Sequence, residues 1–215
     1  MKKIDLLVTG VGGQGVILAS DIISETALAS GYDVKKTDTL GMAQRGGSVI
    51  SHVRIADKVY SPQVKAGEVD ILLALEKLEA ARWSHYLRPG GIAIVNNHAL
   101  PPPSVSLGKE RYPTDEEITN LLKRRTDHIY FIEGTRRAKE MGEIRAVNTF
   151  MLGGASVFLP FKASIWKECI TQRLPAKVRH INITMFDQGR KEISSARSEA
   201  FSPFHTAENN RRQHQ

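Results

Sequence analysis

Cysteine is nearly missing: Cys169 is the single one in 215 residues. One thiol closes no internal disulfide, cannot supply the thiolates of an iron–sulfur cluster and cannot build a cysteine-based zinc site. It stands in Trp166-Lys167-Glu168-Cys169-Ile170, an apolar-periodic stretch that predicts a small buried hydrophobe and not a nucleophile. No apolar run approaches the ~20 residues needed to cross a bilayer. Met1-Lys2-Lys3-Ile4-Asp5 leads straight into a strand pattern without a signal-peptide core, so a cytoplasmic protein without membrane association is expected. Catalytic signatures are missing too. There is no G-x-S-x-G elbow and no H-E-x-x-H, and the loop from Gly10 to Gly15 lacks the Lys-Ser/Thr pair of a Walker A site. His52, His85, His98, His128, His180, His205 and His214 show no metal-ligand spacing. No catalytic residue and no metal ligand are assigned.

The net charge is +7 and the isoelectric point about 9.6. The densest basic groups, Lys123-Arg124-Arg125, Arg136-Arg137 and Arg211-Arg212, are scattered and lack the interleaved aromatics of a nucleic-acid surface, so no nucleic-acid partner is expected. A composition of 41% hydrophobic and 25% charged residues suits a soluble globular protein of one large domain.

What organises the chain is Leu6-Leu7-Val8-Thr9-Gly10-Val11-Gly12-Gly13-Gln14-Gly15-Val16-Ile17-Leu18. A short apolar run is interrupted by glycines and resumes with helical spacing, which predicts a buried strand turning sharply into a helix. Gly10, Gly12 and Gly15 fit G-x-G-x-x-G in the strand–turn–helix setting that this motif requires. The partial positive charge at the helix start suits phosphate or carboxylate. Three readings stay open for this loop: a dinucleotide site, an anion or subunit contact, and a tight turn with nothing bound.

The first helix continues through Val16, Ala19, Ile23 and Ala27 and closes at Gly31. A weakly apolar second strand, Tyr32 to Thr39, follows. The strand from Val49 to Ile55 then predicts a hairpin through Ala56-Asp57-Lys58 into Val59-Tyr60-Ser61, where a dehydrogenase would run on into a crossover helix. Asp70 to Leu75 reads as a buried strand, Glu76 to Leu87 as a helix stopped by Pro89-Gly90-Gly91, and Ile92 to Val95 as a strand. Pro101-Pro102-Pro103 makes a stiff connection. Thr114 and Glu117 form a capping box, and His128 to Glu133 gives a last strand before a helix from Gly134 to Met141. Val147 to Leu159 predicts a helix buried on several sides with Asn148 as its N-cap, and two helices follow, divided by Pro175. On the last, Asn182 beside the stripe Val178, Ile181 and Met185 predicts a structural hydrogen bond. The expected architecture is α/β and Rossmann-like, a mostly parallel sheet with helices on both faces, a β-hairpin insertion and a C-terminal helical segment. One domain spans residues 1–190, and residues 191–215 read as a flexible tail.

The second glycine loop, Gly41-Met42-Ala43-Gln44-Arg45-Gly46-Gly47-Ser48, follows the second strand directly. Arg45 supplies a rigid cationic fork, Gln44 and Ser48 supply neutral hydrogen bonds, and Gly46 and Gly47 expose backbone N–H groups. Together with Gly10, Gly12, Gly13, Gln14 and Gly15 it makes two candidate anion-accepting edges, or two subunit contacts. Asp38 lies 23 residues past Gly15, near the spacing for a ribose-binding acid, yet it runs directly into the second loop.

These two loops in order, followed by Pro89-Gly90-Gly91, resemble the gamma-type domain of the 2-oxoacid:ferredoxin oxidoreductases, closest in kind to the small (beta) subunit of the indolepyruvate enzymes. The likeness runs from about residue 4 to 190 and includes Asn148, Gly153-Gly154 and Asn182; the triple proline, Arg136-Arg137 and the stretch past residue 190 have no counterpart in it. The resemblance implies a Rossmann-like subunit without a catalytic group of its own. Its large (alpha) partner would carry thiamine diphosphate and 4Fe-4S clusters. The assembled enzyme would decarboxylate an aryl-2-oxoacid oxidatively to an acyl-CoA and pass electrons to ferredoxin. The glycine loops are then expected to meet the partner near its active site or to hold the phosphates of coenzyme A. An exposed partner surface implies self-association of the isolated chain. The alternative is a free-standing NAD- or flavin-binding protein.

Overall fold

The computed structural model describes residues 3–40 and 46–200, the side chains of 199 and 200 excepted. Leu6, Leu7 and Val8 are all fully buried, which is why β1 (Ile4–Val11) is apolar on both faces: it sits inside the sheet. Helix α1 (Val16–Ala29) follows, then β2 (Asp33–Leu40), β3 (Ser48–Ala56), β4 (Val69–Ala74), α2 (Lys77–Trp83) and β5 (Leu87–Asn96). The rest is α3 (Pro103–Ser106), α4 (Asp115–Lys123), β6 (Ile129–Ile132), α5 (Gly134–Glu140), α6 (Val147–Ser156), α7 (Ala163–Arg173) and α8 (Ala176–Ala200).

The six strands lie in the order β2-β3-β1-β4-β5-β6. β4, β5 and β6 run parallel to β1, whereas β3 is antiparallel to both β1 and β2. The sheet is thus mixed, with the α/β architecture expected. The hairpin, however, is β2–β3, closed by the second glycine loop, and not β3 with Val59–Ser61. The reason is that Val59 N–H donates to Asp33 Oδ2 at 2.9 Å instead of joining a ladder, so this stretch folds against the start of β2.

Alternation along β1 divides the interior. Leu6 and Val8 face a large apolar core built with α1, α6, α7 and α8, including Phe150, Trp166 and Phe186. Leu7 faces a smaller one with α2 and α4, including Ile118 and Leu122. Cys169 is buried in the first, and burial raises its thiol pKa, as befits an inert packing residue.

Helices α6 and α8 touch backbone to backbone. A Cβ on Gly153 would stand 2.1 Å from the carbonyl oxygen of Phe186, and one on Gly189 would stand 1.9 Å from that of Phe150. Asn182 bridges the same pair: its Oδ1 accepts from Thr149 Oγ1 and its Nδ2 donates to the Val178 carbonyl, both at 2.8 Å. The structural role expected for Asn182 is thereby met.

Four boundaries move. Helix α2 ends at Trp83 and passes through a short 3-10 turn, so Pro89-Gly90-Gly91 lies inside β5, at its register shift against β4. Pro103 opens a short helix instead of closing an extended connector. Asn148 is not a cap: Ala146 holds that position, leaving Asn148 in the first turn of α6. The boundary expected at residue 190 falls within α8, which continues to Ala200 because Ile193 is fully buried against the sheet side. Residues 201–215 of the expected tail lie outside the described residues.

Candidate functional site at the glycine loops

Both glycine loops meet at the C-terminal end of β1. Gly12 N–H donates to the carbonyl of Gly47 at 2.8 Å, so the two are hydrogen-bonded to each other. Gly46, Gly47 and Ser48 are described; Gly41, Met42, Ala43, Gln44 and Arg45 lie outside the described residues, so two of the five residues of the expected second edge, Gln44 and Arg45, are not placed.

The first loop largely satisfies itself. Gln14 folds back, its Oε1 accepting from Val11 N–H at 2.8 Å and its Nε2 donating to the Leu75 carbonyl at 3.3 Å. It thereby ties the end of β1 to the residue that follows β4, at the point where the strand order reverses and open α/β sheets bind their ligands. A Cβ on Gly10 would stand 2.9 Å from Gln14 Oε1, so Gly10 makes room for the chain's own side chain.

Gly15 is the N-cap of α1, at φ 80°, and among the described residues no side chain caps the helix. Against it lies the amide of Asn148: a Cβ on Gly15 would come within 2.1 Å of Asn148 Nδ2. Asn148 is 6% exposed, and its Oδ1 is buried without a hydrogen-bond partner among the described residues. The backbone N–H groups of this helix start can accept an anion, whereas the unpartnered Asn148 Oδ1 can only take a hydrogen-bond donor. Sequence reasoning offers Asn148 as a cap and as part of the family likeness, not as a neighbour of Gly15.

On the other face of β1 a groove of about 500 Å³ opens between Gly46–Ser48, the start of α2 and the triple proline. Two buried carboxylates wall it, and neither was singled out from the sequence. Glu76 caps α2 through Glu79 N–H at 2.9 Å, accepts from Leu100 N–H at 3.0 Å, and accepts the Tyr112 hydroxyl. Burial, followed by that bond, pushes the Tyr112 phenol up. Glu79 accepts the Ser48 hydroxyl, Trp83 Nε1 at 3.2 Å and Arg82 Nε at 3.3 Å. A glutamate in a first helical turn gave no signal beyond ordinary helix chemistry.

Asp38 does not face the first loop. Lys36 Nζ sits 3.0 Å from it, and Ser51 donates to it. Because β3 lies between β1 and β2, the end of β2 stands about 10 Å from β1, two strand spacings away. This removes the ribose contact that a dinucleotide needs. His52, in the middle of β3 and not near a strand end, and His98, just past the end of β5, both have lowered pKa values, with burial the leading cause. Among the described residues no cluster of His, Cys, Asp and Glu has the makings of a metal site, and no helix is long and apolar enough to cross a membrane.

The model of the Pyruvate ferredoxin/flavodoxin oxidoreductase family matches residues 5–192, and the chain belongs to that family. Indolepyruvate oxidoreductase subunit IorB of Pyrococcus horikoshii is 35% identical over 194 residues, covering 89% of this chain and 96% of its own length. The IorB subunit of Archaeoglobus fulgidus is 34% identical and is covered to 99%. The gamma subunit of a keto/oxoacid ferredoxin oxidoreductase from Geobacter sulfurreducens shares the fold at a TM-score of 0.69 and 22% identity, over 91% of this chain and 99% of its own. A 2-oxoglutarate:ferredoxin oxidoreductase from Magnetococcus marinus, solved with 2-oxoglutarate, coenzyme A and succinyl-CoA bound, superposes at a TM-score of 0.71 and 20% identity over 91% of this chain but only 32% of its own.

Proposed function

We propose that this chain is the small subunit of an indolepyruvate-type 2-oxoacid:ferredoxin oxidoreductase. Its large partner carries thiamine diphosphate and the 4Fe-4S clusters, and the assembly converts an aryl-2-oxoacid and coenzyme A into an acyl-CoA while reducing ferredoxin. The observation that carries this reading is the end-to-end match to IorB subunits, set beside a fold that occupies a third of a larger oxidoreductase chain. Exposed apolar side chains beside the glycine loops support a docking role at this edge: Ile17, Leu40 and Leu100 are 39–62% exposed. Self-association of the isolated chain follows from the same side chains.

Within that assembly the start of α1, with Gly13 and Gly15, would hold the phosphates of coenzyme A, with Arg45 adding charge. The chain's contribution is binding and orientation, with no proton or electron carried on its own groups. Co-expression with a large subunit and purification through a tag on this chain tests the reading. A coloured complex that reduces ferredoxin with indolepyruvate and coenzyme A is expected. Colourless, partnerless protein stabilised by NAD or FAD would overturn it. In the intact complex Arg45→Ala raises the KM for coenzyme A; an unchanged value removes the phosphate assignment.

A further inference from the structure

Ser48 stands where the second glycine loop rejoins the sheet, and α2 on the adjoining layer holds it there. Its hydroxyl donates to the carboxylate of Glu79 and accepts from Trp83 Nε1 at 3.1 Å. The same carboxylate oxygen takes the Trp83 indole at 3.2 Å. Glu79 is only 3% exposed, so its bond to Ser48 is charge-assisted and largely shielded from water. One residue before Ser48, the Gly47 carbonyl takes Gly12 N–H. A continuous chain of contacts therefore runs from α2 through Glu79, Ser48 and Gly47 into the first loop. The capping role in this helix belongs to Glu76, whose side chain accepts Glu79 N–H, so the Glu79 carboxylate is left for the loops and for Arg82.

We propose that Glu79 is the positioning residue of the junction between the two glycine loops: through Ser48 it sets where Gly47 and then Gly12 stand. The inference rests on the reading of these loops as the binding edge, and it adds a residue on α2 that touches no ligand itself. Its removal releases the loops without unfolding the helix that carries it.

Two measurements on full-length protein test it. In the chain alone, Glu79→Gln and Ser48→Ala each speed hydrogen exchange at the Gly12 amide about ten-fold, the double variant is no faster than either, and Ser48→Thr matches the wild type. If amides of α2 such as Ala81 and Arg82 accelerate instead while Gly12 keeps its protection, Glu79 merely supports its helix and the proposal is overturned. In the co-purified complex, Glu79→Gln raises the KM for coenzyme A while kcat stays within about two-fold, following Arg45→Ala. A KM that moves with Arg45→Ala but not with Glu79→Gln also overturns it. If neither variant moves KM while Gly12 exchange rises, the coenzyme A reading fails and the positioning role stands.

Discussion

On the face of the sheet that carries Leu6 and Val8, four helices close over a wide apolar interior containing Phe150, Trp166 and Phe186. On the face that carries Asp5, Leu7 and Thr9, α2 and α4 cover a smaller core, and buried charge takes up much of the work. There Asp5 is fully buried and meets Arg54 Nε at 2.9 Å, and His52, Glu76 and Glu79 are all 3% exposed or less. The first face is therefore specified by shape and fails through steric change. The second is specified by hydrogen bonds and charge and responds to pH. The glycine loops lie across the end of β1, between the two, so each face reaches the site in its own way: Asn148 from the first, Glu79 from the second.

The largest effect should come from the α6–α8 crossing. Gly189→Ala places a methyl group 1.9 Å from the Phe150 carbonyl oxygen, an obstacle that no rotamer relieves. The gain in helix propensity, about 1 kcal/mol, runs the other way and is overcome. A net loss of about 3 kcal/mol is expected, the top of the overpacking range, read as a fall of roughly 10 °C in Tm. A Tm within a degree or two of the wild type would mean that the crossing is looser than its geometry, and that shape does not govern this face.

Gly15→Ala comes next, at about 2 kcal/mol, because it combines a left-handed backbone with a collision. The φ of 80° stays unfavourable for alanine whatever surrounds it, whereas the clash with Asn148 Nδ2 can be removed. Adding Asn148→Ala should recover the steric part and leave about 1 kcal/mol of backbone cost. Strict additivity of the two changes by urea denaturation would show that Asn148 does not press on this turn.

How far the sequence reached follows the same division. Apolar periodicity identified β1, α1, α6 and the break at Pro175, because each buries a face and its side chains repeat with the element. The glycine spacing located both loops for the same reason: close backbone approach requires glycine. What the loop at residues 10–15 does was not legible, since only the folded chain shows Gln14 spanning Val11 and Leu75. The hairpin was misplaced because either side of β3 offered a turn, and the choice was made by Asp33 capturing Val59 N–H. Glu76, Glu79 and Asn148 carry no periodic signal, as their importance comes from partners distant in sequence. The continuation of α8 past residue 190 was not legible because polar residues dominate there, although Ile193 keeps α8 on the core.

The second face should show itself on acidification. His52 is buried edge-on to Tyr86, with ring centroids 5.4 Å apart, and its Nδ1 has no partner among the described residues. Burial lowers its pKa, against the opposing pull of Asp5. An unfolded histidine titrates near about 6.5, so below that pH the unfolded chain takes the proton while the folded chain resists it. Stability is therefore present above this value and declines as pH falls toward the folded pKa. His52→Phe, which keeps the aromatic contact, should flatten the Tm profile between pH 7 and pH 5. Parallel profiles would place the acid sensitivity elsewhere on this face.

The mildest effect belongs to α4, the outermost support of the same face. Thr114 accepts from Glu117 N–H at 3.2 Å, and Glu117 accepts from Thr114 N–H at 2.8 Å, the reciprocal cap that the sequence spacing predicts. Arg111 also grips Glu117, and its hydrogen bond leads the causes that lower the carboxyl pKa to about 2. A lowered carboxyl stabilises the fold above its unfolded pKa and loses that contribution as pH falls toward 2. These groups are solvent-exposed, so water replaces much of what a mutation removes. Thr114→Ala should cost about 1 kcal/mol, less than either glycine substitution, and the loss should be independent of whether Gly189 or His52 is altered as well. Coupling to His52→Phe but not to Gly189→Ala would show that α4 transmits strain across the second face alone, drawing the boundary between the two halves of the molecule along β1.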